Sequence, residues 1–287
     1  GYLPPYKTFC ARFEKPIVQD EDANAVRRLN QFTGPFILRR MKSEVLRELP
    51  PKTENVRRVE LETEQRKLYL AAVVDAREKL RAAKPEDKMT VFAVLMRLRE
   101  ICCDPRLVAD NWTGSSAKLD ACLELVTEAV AGGHRILLFS QFTSMLELLA
   151  KRLDEAGVSH FTLQGSTPKP VRAEQVRRFN QGEADVFLIS LRAGGTGLNL
   201  TAADIVIHYD PWWNLAAQNQ ATDRAYRIGQ RNPVQVYRLI AQDTIEEKIV
   251  ELQQAKQSLA DTVTGGADGA ILSMNPEQLL QLLGEEA

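Results

Sequence analysis

Two arginines three residues apart, Arg224 and Arg227, stand in a stretch of helix formers with Gln220 one turn ahead of Arg224. On a helix, positions three and four apart share a face, so these side chains are expected to project together. Planar guanidinium groups grip phosphate oxygens, and an outward pair can stabilise charge on a transferring phosphoryl group. The same spacing also describes an exposed pair tied to Asp223 and neighbouring acids. Upstream runs Leu191-Arg192-Ala193-Gly194-Gly195-Thr196-Gly197-Leu198-Asn199. Glycines and small residues let backbone N–H groups approach phosphate oxygens closely. Shorter segments of similar character are Ser140-Gln141-Phe142-Thr143 and Gln164-Gly165-Ser166-Thr167, with Arg172 just beyond. Asp210-Pro211-Trp212-Trp213-Asn214 adds two indoles.

Each of these segments follows an apolar run. Arg135–Phe139 is almost wholly apolar, as a buried parallel strand requires. Strands are expected at 158–163, 185–190, 204–209 and 234–240, and helices at 171–181 and 215–226. Ser144 and Glu147 form a candidate capping box for a helix through Ala156, which Gly157 would end. Alternating strand and crossover means a parallel sheet with helices on both faces, an α/β fold. In such sheets ligands bind beyond the carboxyl ends of the strands, where these loops lie. Residues 1–50 read as irregular, broken by Pro4, Pro5, Pro16, Pro35 and Pro50. Residues 62–109 read as helical, with Val91, Val94, Leu95, Leu98 and Ile101 at helical spacing. A breaker cluster from Asp110 to Ser116 marks a boundary. Thr244–Ala260 reads as an amphipathic helix with Ile245, Ile249 and Leu252 on one stripe, and Pro276–Leu283 as a short helix.

Composition excludes several classes. The 287 residues are 44% hydrophobic and 26% charged, ordinary for a globular chain. No apolar run reaches the roughly 18 residues of a membrane helix. The N-terminus, Gly1-Tyr2-Leu3-Pro4-Pro5, has no signal-peptide pattern and reads as a cut within a longer chain. Cys10, Cys102, Cys103 and Cys122 lack C-x-x-C spacing, so neither zinc nor a disulfide framework is expected, and an intracellular, reducing setting is. His134, His160 and His208 stand far apart and are read as structural or surface residues; no metal site is expected. The net charge of −1 is uneven: residues 1–110 carry 22 Lys and Arg against 17 Asp and Glu, and residues 111–287 carry 15 against 21. The basic excess, around Arg39, Arg40, Lys42, Arg47, Lys52, Arg57 and Arg58, is either a solvated face or a phosphate-contact surface.

Taken together, the motifs resemble the Swi/Snf family of helicase-like ATPases. The run from Phe187 to Asp204 resembles the family's motif V and Gln220–Gln230 its motif VI. Ile136–Thr143 is similar to motif IV, and Leu163–Thr167 through Arg172 and Phe179-Asn180 to the segment after it. Phe36–Lys42 and Leu49–Lys52 are similar to the linker after the first lobe, and Thr244–Ile249 to the start of a C-terminal brace helix. The resemblance implies a linker at 1–52, a helical protrusion at 53–115, a RecA-like C-terminal lobe at 116–243, and a brace helix and tail at 244–287. Arg224 and Arg227 would be arginine fingers reaching to ATP on a separate first lobe, supported by Gln220. Gly195, Gly197 and Asn199 would line the nucleotide side. Ser140, Gln141, Gly165, Ser166, Arg172, Ser190 and Arg192 would face the backbone of double-stranded DNA, without base readout. Trp213 would lie against the DNA, the alternative for both tryptophans being packing between strand end and helix.

The sequence departs from the family pattern at Gln164, Leu215, Gln218 and Tyr226, which leaves the arginines intact and suggests a bacterial or archaeal member. It has no G-x-x-x-x-G-K-[ST] run and no Asp-Glu-x-His-like box. ATP and Mg²⁺ are therefore expected only in a complete enzyme, and this chain alone is expected to be inactive. The implied setting is the cytoplasm or nucleoid of a prokaryote, or the nucleus of a eukaryote. Two rivals remain: a non-catalytic DNA-binding or regulatory module on the same lobe, and a dinucleotide enzyme. The second lacks a G-x-G-x-x-G opening a helix after the first strand.

Overall fold

The computed structural model describes residues 4–18, 22–36, 49–191, 193, 197–262 and 274–284. Arg192 and Gly195 of the expected site lie outside the described residues. Two compact units are present: residues 1–48 with 254–267, and residues 49–253 with 268–287.

The larger unit is built on six parallel strands: β1 (Lys52–Val59), β2 (Ile136–Ser140), β3 (His160–Leu163), β4 (Val186–Ser190), β5 (Ile205–His208) and β6 (Val234–Ala241). Their order is β1-β6-β5-β2-β4-β3. Strands β2, β4 and β5 are buried at every position, because side chains alternate between two covered faces. Ile136, Leu138, Val186, Leu188, Ile205 and Ile207 share one core with helices Ala117–Ala131 and Thr143–Glu155. Leu137, Phe139, Phe187, Ile189 and Val206 share the other with Phe179, Ala221 and Ala225. From β2 the chain crosses one way to β3, and from β5 it crosses the other way to β6. Adjacent strands β5 and β2 therefore open a switch-point crevice at their carboxyl ends.

Strand β1 occupies residues ahead of 62, where the sequence reading assigned no element. Its sequence, Lys-Thr-Glu-Asn-Val-Arg-Arg-Val, has no alternation, and its side chains are mostly exposed. It is held by the β6 backbone ladder at the sheet edge, where charged residues are at home. The region read as helical, 62–109, forms two packed helices, α4 (Thr63–Ala82) and α5 (Lys88–Cys103). They pack with Ile245 and Ile249 of α10 (Ile245–Thr262) and Leu279 of α11 (Pro276–Leu282). Between them lie α6 (Ala117–Ala131), α7 (Thr143–Glu155), α8 (Lys169–Asn180) and α9 (Leu215–Thr222). The Ser144/Glu147 capping box does not form: α7 starts two residues earlier, with Phe142 as cap and no side-chain cap bond. Gly157 does end it, at φ 69°, with the Val158 N–H donating back to the Leu153 carbonyl at 2.9 Å.

The start of α10 is fixed by a charge pair. Lys118 Nζ lies 2.6 and 2.5 Å from the two Glu246 oxygens, and neither side chain is accessible. Glu246 also accepts the Ala241 N–H at 2.8 Å. Burial works against the Lys118 ammonium, but the Glu246 carboxylate outweighs it and the pKa is raised.

In the smaller unit, the region read as irregular is helical. Helices α1 (Tyr6–Phe9) and α2 (Lys15–Val18) are joined by a wide π-turn at Cys10–Glu14, and α3 spans Ala23–Thr33. Pro16 explains the widening: it offers no N–H and would clash with the carbonyl four residues back. Phe13, Ile17, Ala25, Val26 and Leu29 form this unit's core.

Candidate functional site

An open cleft of about 370 Å³ lies at the carboxyl ends of β2, β3 and β4, lined by Gln141, Thr143, Gln164, Gly165, Ser166 and Ser190. Gly165 and Ser166 are exposed, and space stands open where a Gly165 Cβ would be. The Thr167 hydroxyl accepts the Gln164 N–H at 3.0 Å and shapes the turn. Arg172, on α8, is half-buried. Two expected contacts are placed differently. The Ser140 hydroxyl is buried, donates to Asp210 Oδ1 at 2.6 Å and accepts the Phe142 N–H at 3.2 Å. The Ser190 hydroxyl accepts the Ala193 N–H at 3.3 Å, although the residue lines the cleft. Ser140 thus bonds inward beside the switch point, while Ser190, at the end of β4, both bonds its own loop and lines the cleft.

The residue that sequence reading missed is Arg99. It is wholly buried on α5, with Leu95, Cys102 and Cys103 at i−4, i+3 and i+4. A charge within an apolar stripe was the available signal. Arg99 Nη2 donates to the Pro211 carbonyl at 2.5 Å and lies 3.4 Å from Asp210 Oδ2. Its guanidinium carbon is 4.2 Å from the Trp213 ring centroid and 5.6 Å from that of Phe142. Such cation–π contacts compensate a buried charge. Burial pushes the Asp210 carboxyl up, and Arg99 and the Ser140 hydroxyl pull it part of the way back. Asp210 also receives the Gln141 N–H at 3.3 Å. One buried pair thus joins α5 to the loops after β2 and β5. Trp213 is half-buried against Arg99, Phe92 and Trp212. It is the packing partner that the alternative reading described, and part of its surface stays open.

The arginine-bearing segment differs from expectation. Asn214 caps α9 by accepting the Ala217 N–H at 2.9 Å, but the helix ends at Thr222, not Tyr226. The Thr222 hydroxyl is taken by His208 Nε2 at 2.9 Å and lies 3.4 Å from the Gln218 carbonyl. Residues 223–229 then run as turns. Arg224 and Arg227 therefore do not share a helical face. The Arg224 carbonyl accepts the Leu200 N–H at 3.1 Å, bonding this turn to the end of the glycine-rich segment. Arg224 is 6% exposed and its buried Nε has no hydrogen-bond partner among the described residues. Burial first, and then the charge of Arg227, lower its pKa, offset in part by Asp223. Arg227, Gln220, Gly197 and Asn199 are exposed. The Asn199 carbonyl accepts from Asn180 Nδ2 at 2.8 Å.

Among the described residues, no group of three or more His, Cys, Asp or Glu is placed to hold a metal ion. No described helix is long and apolar enough to cross a membrane.

Residues 2–107 match the SNF2-related domain and residues 117–229 the helicase conserved C-terminal domain. An uncharacterized ATP-dependent helicase of Mycoplasma pneumoniae is 38% identical over 98% of this chain and 27% of its own length. The putative ATP-dependent helicase/translocase YwqA of Bacillus subtilis is 38% identical over 98% of this chain and 32% of its own length. The chain thus spans about a quarter to a third of these relatives. The SWI2/SNF2 ATPase core of Sulfolobus solfataricus in complex with dsDNA superposes with a TM-score of 0.69 at 30% identity, covering all of this chain and 62% of that one. A RecA-like parallel sheet, paired domain matches and relatives of this kind place the chain in the Swi/Snf family of ATP-dependent helicase-like proteins.

Proposed function

We propose that this chain is the second motor lobe of an ATP-dependent double-stranded DNA translocase. In this reading Arg224 and Arg227 serve a nucleotide held by a separate first lobe, with Gln220 in support, and Gly195, Gly197 and Asn199 border the nucleotide side. Gln141, Gly165, Ser166, Arg172, Ser190 and Arg192 track the DNA backbone, with Ser140 holding its loop and the open part of Trp213 beside them. Residues 1–52 link the lobes, 53–115 include the protrusion and 244–287 carry the brace helix and tail. The working setting is intracellular.

The observation that carries this reading is the state of Arg224. The residue is largely buried, its Nε lacks a hydrogen-bond partner among the described residues, and a second arginine stands three residues away. An incoming anion relieves both costs, and phosphate suits the planar fork. These residues fit ATP as charge-stabilising groups, while Mg²⁺ and the phosphate cradle belong to the complete enzyme. When bound there, ATP supplies the phosphoryl group on which charge develops, and the arginines stabilise that charge. The cleft beside Gly165 supports backbone tracking, since exposed N–H groups and hydroxyls contact phosphates without reading bases.

The test is ATP hydrolysis by this chain with duplex DNA, with and without the first lobe added. Background turnover alone and DNA-stimulated turnover on addition support the reading. Robust turnover by the chain alone contradicts it. Duplex binding with no turnover under either condition favours the non-catalytic module.

A further inference from the structure

The turn that carries the arginines leaves the helical ladder only after Tyr226, whose N–H still donates to the Thr222 carbonyl at 3.1 Å, so the stretch at Arg227 needs another tie. Gln230 supplies it. Its side chain is 7% exposed, and every hydrogen-bonding position of its carboxamide is filled by backbone. Nε2 donates to the carbonyls of Ala203 at 2.7 Å and Ala225 at 3.1 Å. Oε1 accepts the N–H groups of Arg231 and Asn232, both at 2.9 Å. A carboxamide offers two N–H donors and one oxygen with two lone pairs, and all are used.

The partners give this saturation its meaning. Ala225 lies between Arg224 and Arg227. Ala203 leads into β5 and is buried. The Gln230 main-chain N–H donates to the Arg227 carbonyl at 2.9 Å, and the Arg227 N–H donates to the Ala225 carbonyl at 3.1 Å. Gly229, at φ 102°, makes the reversal that returns the chain to Gln230. One side chain therefore ties the peptide between the two arginines to the base of a central strand.

We propose that Gln230 is a positioning residue for Arg224 and Arg227, fixing the point from which both guanidinium groups leave the backbone. This rests on the reading of those arginines as phosphoryl-directed. The requirement is chemical as well as steric. A glutamate of the same shape has no N–H donors, so its oxygen would face the carbonyls of Ala203 and Ala225. A shorter or apolar side chain leaves both carbonyls and both N–H groups unpaired.

The test uses the full-length protein and four readings on each variant: kcat and KM for ATP, duplex DNA affinity, and thermal midpoint. Arg227→Ala is measured first as the reference. For Gln230→Glu we expect kcat to fall about 10²-fold, the scale of a roughly 1 Å misplacement. KM and DNA affinity should stay within about twofold, because neither substrate is bound by the carboxamide. Gln230→Ala, which leaves a gap in place of a charge, should show the same split. Amide exchange of residues 224–229 should quicken in both, with β5 still protected. A folded Gln230→Glu or Gln230→Ala that keeps wild-type kcat overturns the proposal. Failure of both variants to fold also overturns it, since Gln230 would then be a folding residue. If Arg227→Ala itself keeps turnover, the underlying reading fails. If Arg227→Ala is inactive and the Gln230 variants are active, only the present inference fails.

Discussion

The Arg99 guanidinium carbon lies 4.2 Å from the Trp213 ring centroid, while one of its N–H groups donates to the neighbouring Pro211 carbonyl at 2.5 Å. A cation with no solvent access thus supports the loop after β5 and, through Asp210, the Gln141 N–H at the edge of the cleft. Arg99 and Asp210 thus link the helical pair to the edge of the cleft by direct bonds.

Arg99→Leu leaves the Asp210 carboxylate buried without its cation. Removing one partner of a buried pair costs about 3–5 kcal/mol. Urea unfolding of the chain should show a loss of that size, and Asp210→Asn in the same chain should recover part of it. A loss below about 1 kcal/mol, the scale of an exposed pair, would show that Arg99 is not carrying this charge.

The pair of Lys118 and Glu246 invites a different comparison. Lys118→Met alone should cost about 3–5 kcal/mol, because Glu246 is stranded. Lys118→Met with Glu246→Leu should return to near the parent stability, because buried pairs are often no better than apolar residues of similar volume. A double variant as unstable as the single one would mean that the Glu246 bond to the Ala241 N–H is what matters.

His208 gives a pH dependence. Burial, and then the charge of Arg238, depress its pKa to about 3. The unfolded value is near 6.5. The folded state therefore binds fewer protons between these values, and stability falls as pH drops from about 6.5 towards 3, by at most ~1.4 kcal/mol per pH unit. Above pH 6.5 the residue is neutral in both states and contributes no slope. Burial raises the Asp210 and Glu100 carboxyls, which acts in the opposite direction. The comparison that isolates His208 is the slope between pH 6.5 and 5 in parent and His208→Gln, which should be flatter in the variant. Equal slopes would contradict a buried neutral imidazole.

The cleft can be tested without disturbing the fold. A Cβ at Gly165 meets nothing within 4 Å, so Gly165→Asp should leave the thermal midpoint unchanged. A carboxylate placed against a phosphate backbone should weaken duplex binding by at least about tenfold, since like-charge juxtaposition costs several kcal/mol. Unchanged affinity at the same salt would remove this cleft from the DNA path.

The central strands were legible because burial on both faces leaves a plain apolar run, as at Ile136–Phe139 and Val186–Ile189. β1 was not, because an edge strand is held by backbone bonds and its mostly polar and charged residues show no alternation to sequence reading. The end of α9 was not, because Asp223-Arg-Ala-Tyr-Arg227 are good helix neighbours. The helix stops where the Thr222 hydroxyl turns to His208 and the Arg224 carbonyl turns to Leu200, both long-range bonds. The candidate arginines and cleft loops were legible from motif and loop position. The inward commitment of Ser140 was not, since it depends on Asp210, 70 residues away. Arg99 could have been read, as a charge in a stripe of core positions.

The most direct test of the account is single-turnover ATP hydrolysis by the full-length protein carrying Arg227→Ala, with duplex DNA affinity measured on the same sample. The expected result is a fall of about 10³-fold in turnover, the low end for arginine fingers, with DNA binding retained. Turnover near that of the parent protein would contradict it.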